Sequence, residues 1–145
     1  MPIKPARRGM ASAALGALLL VASNGAAQPT AISARFDVPE ELRVGDRRAV
    51  VLVVAGVEAG LPVLITTAEE GTAIEVVRGR LTRLDAETPD AEPLRFPIPL
   101  VARAPGTSVL RAELRTFACA GSAPDAPCDE VVTTATLTLT VARAR

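Results

Sequence analysis

Residues 107–141 read TSVLRAELRTFACAGSAPDAPCDEVVTTATLTLTV, and their pattern decides the fold. Leu110, Ala112 and Leu114 alternate with Arg111, Glu113 and Arg115. Further on, Val131, Ala135, Leu137, Leu139 and Val141 alternate with Thr134, Thr136, Thr138 and Thr140. A period of two is the signature of a strand with one buried face. Two strands are therefore expected, Thr107–Ala118 and Val131–Val141. The Gly-, Ser- and Pro-rich segment between them forms the loop of a hairpin. Its outer face would set an Arg-Glu-Arg row beside a threonine row, since β-branched threonines suit a pleated surface. That row, Arg111, Glu113, Arg115, Thr134, Thr136, Thr138 and Thr140, is the candidate interaction face.

The rest of the chain repeats the strand grammar. Ile32, Ala34, Phe36 and Val38 alternate with polar residues until Pro39. Arg48–Val57 is apolar on both phases and Val-rich, as expected of a central strand covered on both sides. Leu61–Thr67, Ala73–Val77 and Arg80–Leu84 are shorter candidates, with a turn at Glu69-Glu70-Gly71. Leu94–Arg103 is extended, but Pro97 and Pro99 lack the N–H that a ladder needs, which predicts an edge strand or a bulge. No window beyond the N-terminal segment shows helical periodicity. Seven or eight short strands with closely spaced turns predict an all-β, immunoglobulin-like antiparallel β-sandwich.

The N-terminus reads differently. Lys4, Arg7 and Arg8 precede an apolar run, Met10–Ser23, and Gly25-Ala26-Ala27 supplies small residues before Gln28. This is the build of a cleaved secretory signal peptide, residues 1–27, leaving 28–145 as one domain. The apolar run falls short of the roughly 20 residues that cross a bilayer, so no stable membrane anchor is expected after cleavage. Without the three basic residues of the leader, 13 basic side chains face 16 acidic ones, a formal charge of about −3. Nucleic acid is therefore not an expected partner. Of the 16 basic residues only Lys4 is lysine, a usage that suits a GC-rich bacterial genome. The expected location is the periplasm or the exterior of a bacterial cell, and the expected partner is another envelope protein.

Residue types that are missing narrow the chemistry. The chain has no His, Trp or Tyr, and its aromatics are Phe36, Phe96 and Phe117. His is the commonest general base and transition-metal ligand. Trp and Tyr are the usual stacking platforms for sugars and bases. Their absence argues against an enzyme, and neither a cofactor nor a metal is expected. Asp85, Glu87, Asp90 and Glu92 share a loop without the spacing of a calcium-binding turn. Arg78, Arg80 and Arg83 form a small basic cluster expected at the surface.

Cys119 and Cys128 bracket the hairpin loop and are the only cysteines. In an exported chain two thiols so placed are expected to form one disulfide. Closing a loop of about ten residues stabilises a fold by roughly 2.5–3 kcal/mol in the chain-entropy model. A redox-active pair is the alternative, and it requires a nearby cation or helix terminus to lower a thiol pKa.

The run PLRFPIPLVARAPGTSVLRAELRTFAC, a short spacer, Cys128 and a closing strand resemble a known arrangement. They are similar to the immunoglobulin-like N-terminal domain of periplasmic thiol:disulfide interchange proteins of the DsbD kind, and to related domains of thioredoxin-like and NHL-repeat proteins. The resemblance covers about residues 94–141. It implies a β-sandwich fold and, as a function, thiol–disulfide exchange through Cys119 and Cys128. The residue-level reading is an exported, non-catalytic module with a binding, structural or accessory role, stapled by one disulfide.

Overall fold

A computed structural model describes residues 31–121 and 123–145, so the expected leader lies outside the described residues. Among the described residues nine strands pack as two facing sheets. They are β1 Ser33–Phe36, β2 Leu42–Arg43, β3 Arg47–Ala55, β4 Leu64–Glu70, β5 Ile74–Val76, β6 Arg80–Thr82, β7 Leu94–Ala102, β8 Gly106–Cys119 and β9 Cys128–Ala142. One sheet runs β1-β3-β7-β5 and the other β2-β9-β8-β4-β6. All pairings are antiparallel except β2 with β9, which is parallel. The result is the expected immunoglobulin-like sandwich, in which the segment after β1 crosses from one sheet to the other.

The core lies where the inner faces meet. Leu52, Val54, Leu94, Phe96, Ile98, Leu110, Leu114 and Leu139 are buried there. Phe96 sits fully buried opposite Leu52 on β3. Phe36 is half-buried and Phe117 lies partly exposed, so aliphatic side chains and alanine build nearly all of the core around one aromatic ring.

Three strand assignments are corrected. The expected third strand begins later and runs on through Glu69 and Glu70, which pair with Leu110 and Val109. The length of β8 recruits them, overriding their turn-like local sequence. The expected fifth strand ends at Thr82, and Arg83–Asp85 forms a 3-10 turn in which the Asp85 carboxylate accepts the Thr82 N–H at 2.8 Å.

The proline-bearing strand β7 is also not at the sheet edge. It lies between β3, along nearly its whole length, and β5, at its C-terminal end. The Val77 N–H donates to the Pro99 carbonyl and the Glu87 N–H to the Arg95 carbonyl. Odd-numbered residues of β7 therefore turn their backbone polar groups away from β3. The two prolines fall in that phase, and their missing N–H groups remove no β3 ladder bond.

Among the described residues two polar side chains are buried, and both are satisfied. The Ser108 hydroxyl oxygen accepts the Ala73 N–H at 2.9 Å, and the Thr116 hydroxyl donates to the Pro62 carbonyl at 2.9 Å. Gly71 makes the first contact possible. Its φ is +99°, and a Cβ there would stand 2.8 Å from the Ser108 hydroxyl. Ser108→Ala is expected to cost about 1–3 kcal/mol, because it leaves the buried Ala73 N–H without a partner. Urea unfolding checks this as a lowered midpoint with an unchanged slope.

Candidate functional site

The hairpin of β8 and β9 has an unbroken one-to-one register from Gly106–Val141 to Cys119–Cys128. Its inner residues, Leu110, Ala112, Leu114, Ala135 and Leu139, enter the core. The outer face carries the expected residues together. Arg111 stands opposite Thr136 and Glu113 opposite Thr134, while Thr138 faces Val109 and Thr140 faces Thr107. The four threonines, Arg111 and Arg115 are exposed, and Glu113 is half-buried.

Charges on this face are paired within and across strands. The Arg115 guanidinium donates to Glu113 at 2.7 Å and to Glu130 of β9 at 3.1 Å. These carboxylates, Glu113 first, hold the Arg115 pKa above its ordinary value. Arg111 approaches Glu70 of β4 at 4.0 Å. Exposed pairs of this kind stabilise little and mainly fix where charge sits.

Two apolar residues that the sequence reading did not single out share the face. Val132 is 50% exposed and stands opposite Arg115; Phe117 is 38% exposed and stands opposite Glu130. A shallow hollow of about 250 Å³ beside Phe117 is walled by Pro62, Leu64 and Glu130. A second, of about 460 Å³, lies between Phe117, Ile32, Val57 and Cys119. The strand phase of Phe117, in step with Arg115 and Cys119, was the available signal.

The cysteines are the last cross-strand pair of the same face. They form one disulfide, with Cα atoms 4.0 Å apart. The Ala120 N–H donates to the Pro127 carbonyl, so the cysteines occupy the adjacent pair that exchanges no backbone bonds. Side chains approach most closely at such positions. Cys128 is exposed and Cys119 half-buried, so the bond lies at the surface and outside the core. Both cysteines belong to the strands, which extend past the expected ends at Ala118 and Val131.

The remaining charged clusters hold loops together. Of the four acidic loop residues, Asp85 binds the Thr82 N–H and Arg78, Glu87 pairs with Arg95, and Glu92 accepts the Gly56 N–H. Arg83 leaves the expected surface cluster to donate to three carbonyls, those of Leu61, Glu58 and Pro89, at 2.7, 2.8 and 2.9 Å. Its planar fork ties two loops together, which a lysine ammonium cannot reproduce. Arg83→Lys is expected to lower stability by about 1–2 kcal/mol in thermal unfolding while keeping the charge.

On the other sheet, Asp37 bridges Arg35 at 2.8 Å and Arg95 at 3.0 Å. The Arg35 hydrogen bond above all holds the Asp37 carboxyl below the usual carboxylate range; burial opposes it, and the hydrogen bond and charge of Arg95 add to the lowering. A lowered folded pKa stabilises the fold above the unfolded value of about 3.9, and that contribution is lost as pH falls through the folded value. Asp37→Asn is therefore expected to flatten the acid limb of the stability profile below about pH 4, with little change in its shape at neutral pH, as followed by circular dichroism.

No family model matches this chain, and no curated protein matches it. Among solved structures it is similar to native alpha-2-macroglobulin from Escherichia coli, in a structure spanning domain MG7 to the C-terminus. The TM-score is 0.51 at 15% identity, over 79% of this chain and 17% of that one. The trypsin-activated form of the Escherichia coli protein aligns at a TM-score of 0.47 and 15% identity, over 80% of this chain and 7% of the other. A cohesin module from a Clostridium perfringens family 33 glycoside hydrolase aligns at 0.41 and 10% identity, over 78% and 98% of the two chains. The chain thus spans a small part of the alpha-2-macroglobulin structures, and the first likeness is one of fold.

Proposed function

We propose that the chain is an exported, non-catalytic β-sandwich module of the bacterial envelope that binds or supports another envelope protein, with Cys119–Cys128 as its staple. The observation that carries this reading is the outer face of β4, β8 and β9. It presents a threonine row, charges at Arg111, Glu113 and Arg115, and exposed Phe117 and Val132 on one face of the sheet. Aromatic and arginine side chains in such a setting favour protein recognition. The composition supports a non-catalytic role, since the chain has no His to serve as a general base. Similarity to one part of a much longer alpha-2-macroglobulin chain supports an accessory role beside other domains.

The test is photo-crosslinking in the envelope of a bacterial host, with a crosslinker placed at Thr136 and, as a control, at Ser33 on the other sheet. The reading expects one discrete adduct from Thr136 to a protein other than this chain, lost in Arg111→Glu, and none from Ser33. No adduct from Thr136, or equal adducts from both sites, contradicts it.

Thiol exchange is the second reading. It is favoured by one observation, the surface position of the disulfide with Cys128 exposed. A partner thiolate could reach such a bond, and exposed disulfides are the more readily reduced class. The resemblance of residues 94–141 to thiol:disulfide interchange domains belongs to this reading.

A further inference from the structure

We propose that the free edge of β9 pairs with β9 of a second copy of this chain, making a two-fold dimer with a sheet continuous across the interface. The inference stands apart from whether the outer face binds a partner. Strand β9 has 15 residues, and β8 bonds one side of it along almost its whole length. Among the described residues only Leu42 and Arg43 pair with its other side, opposite Val141 and Ala142. The bond from Ala120 N–H to Pro127 O sets the phase, and that from Val44 N–H to Ala142 O agrees with it. Odd-numbered residues bond β8, whereas Glu130, Val132, Thr134 and Thr136 direct their N–H and C=O groups outward. β1 packs against β9 from the facing sheet without forming a ladder with it.

Natural sheet edges are usually shielded by lysine, proline, bulges or short length. This edge has none of these. The register is unbroken, and Cys128–Val141 contains no lysine, proline or glycine; its charges are those of Asp129 and Glu130 at one end. Such a strand is well suited to accept another.

The self-pairing register follows from what flanks the edge. Residues 38–42 line a groove of about 300 Å³ with Leu137–Thr140, and among the described residues no strand forms a ladder with the outer side of residues 128–136. An antiparallel copy centred on Val132 fits that span. Val132 then meets its symmetry mate, Glu130 meets Thr134, and Asp129 meets Ala135. No like charges oppose one another, and the half-exposed Val132 is covered by an apolar neighbour.

Sedimentation equilibrium on the full-length chain, disulfide intact, tests this. A dimer is expected. Thr134→Pro removes one outward donor and no β8 ladder bond, and Val132→Arg puts like charges on the two-fold axis. Each is expected to weaken the dimer by about tenfold or more, with an unchanged circular dichroism spectrum. A monomer at every concentration overturns the proposal, as does a dimer that neither substitution weakens. Amide exchange supplies an independent readout. Protected Val132 and Thr134 amides in a monomer would assign the edge to another segment of the same chain, and the proposal would fail.

Discussion

The double substitution of Cys119→Ser and Cys128→Ser is expected to lower the free energy of unfolding by about 2–4 kcal/mol. The bond closes a short loop between the ends of the two longest strands. Its effect is largely on the unfolded chain, which gains conformations when the closure is lost. The folded hairpin should persist, because the cysteine pair is the last of a continuous ladder and the next pair already shares a backbone bond. Guanidinium unfolding of the oxidised protein and of the variant would show a lower midpoint. Amide exchange should show faster opening near Ala118 and Asp129, with the Leu110–Leu137 region protected in both. A loss well under 1 kcal/mol would mean that the bond does little as a staple.

Phe96→Ala is expected to cost about 3–5 kcal/mol, the larger of the two effects. The ring is fully buried, and Leu52, Leu94 and Ile98 share its core. The surrounding aliphatic side chains are already packed in the core and can fill only part of the space left by the ring. Against a typical domain stability of about 5–15 kcal/mol, this substitution takes a large share. Phe96→Leu should retain more than half of the lost stability, because it preserves most of the volume. The same truncation at Phe117, on the outer face, is expected to cost far less. Thermal unfolding of the three variants separates a core ring from a surface ring.

The hairpin was legible because its apolar and polar residues alternate strictly over many positions, and a one-residue slip would bury its charges. Both cysteines were legible as a bonded pair from their placement at the loop ends. Shorter elements were not. Leu42–Arg43 is too short to show a period, and its pairing with β9 follows from the crossover of the chain between sheets. Glu69 and Glu70 resemble a turn locally but extend β4 because β8 offers them a ladder. Pro97 and Pro99 pointed to an edge because the phase of a strand's backbone groups cannot be read from residue type alone.

The candidate face was legible in part. The residues at Arg111, Glu113, Arg115 and the threonines do lie together, as alternation requires. Phe117 and Val132 were harder to assign. Val132 follows another valine, so either could be the inward one, and Phe117 would ordinarily be expected inside. Its neighbour Thr116 takes the inward position instead, donating to the Pro62 carbonyl. Arg83 was unreadable because its three acceptors are backbone carbonyls, two of them, Glu58 and Leu61, in a loop more than twenty residues away.

The most direct test of the staple at the centre of the proposed function is the reduction potential of Cys119–Cys128, measured by equilibrating the full chain with dithiothreitol redox buffers and quantifying trapped thiols. A non-catalytic module predicts a value below about −300 mV, as structural disulfides show. A value near −200 mV, in the range of exchange proteins, would contradict it and favour thiol exchange.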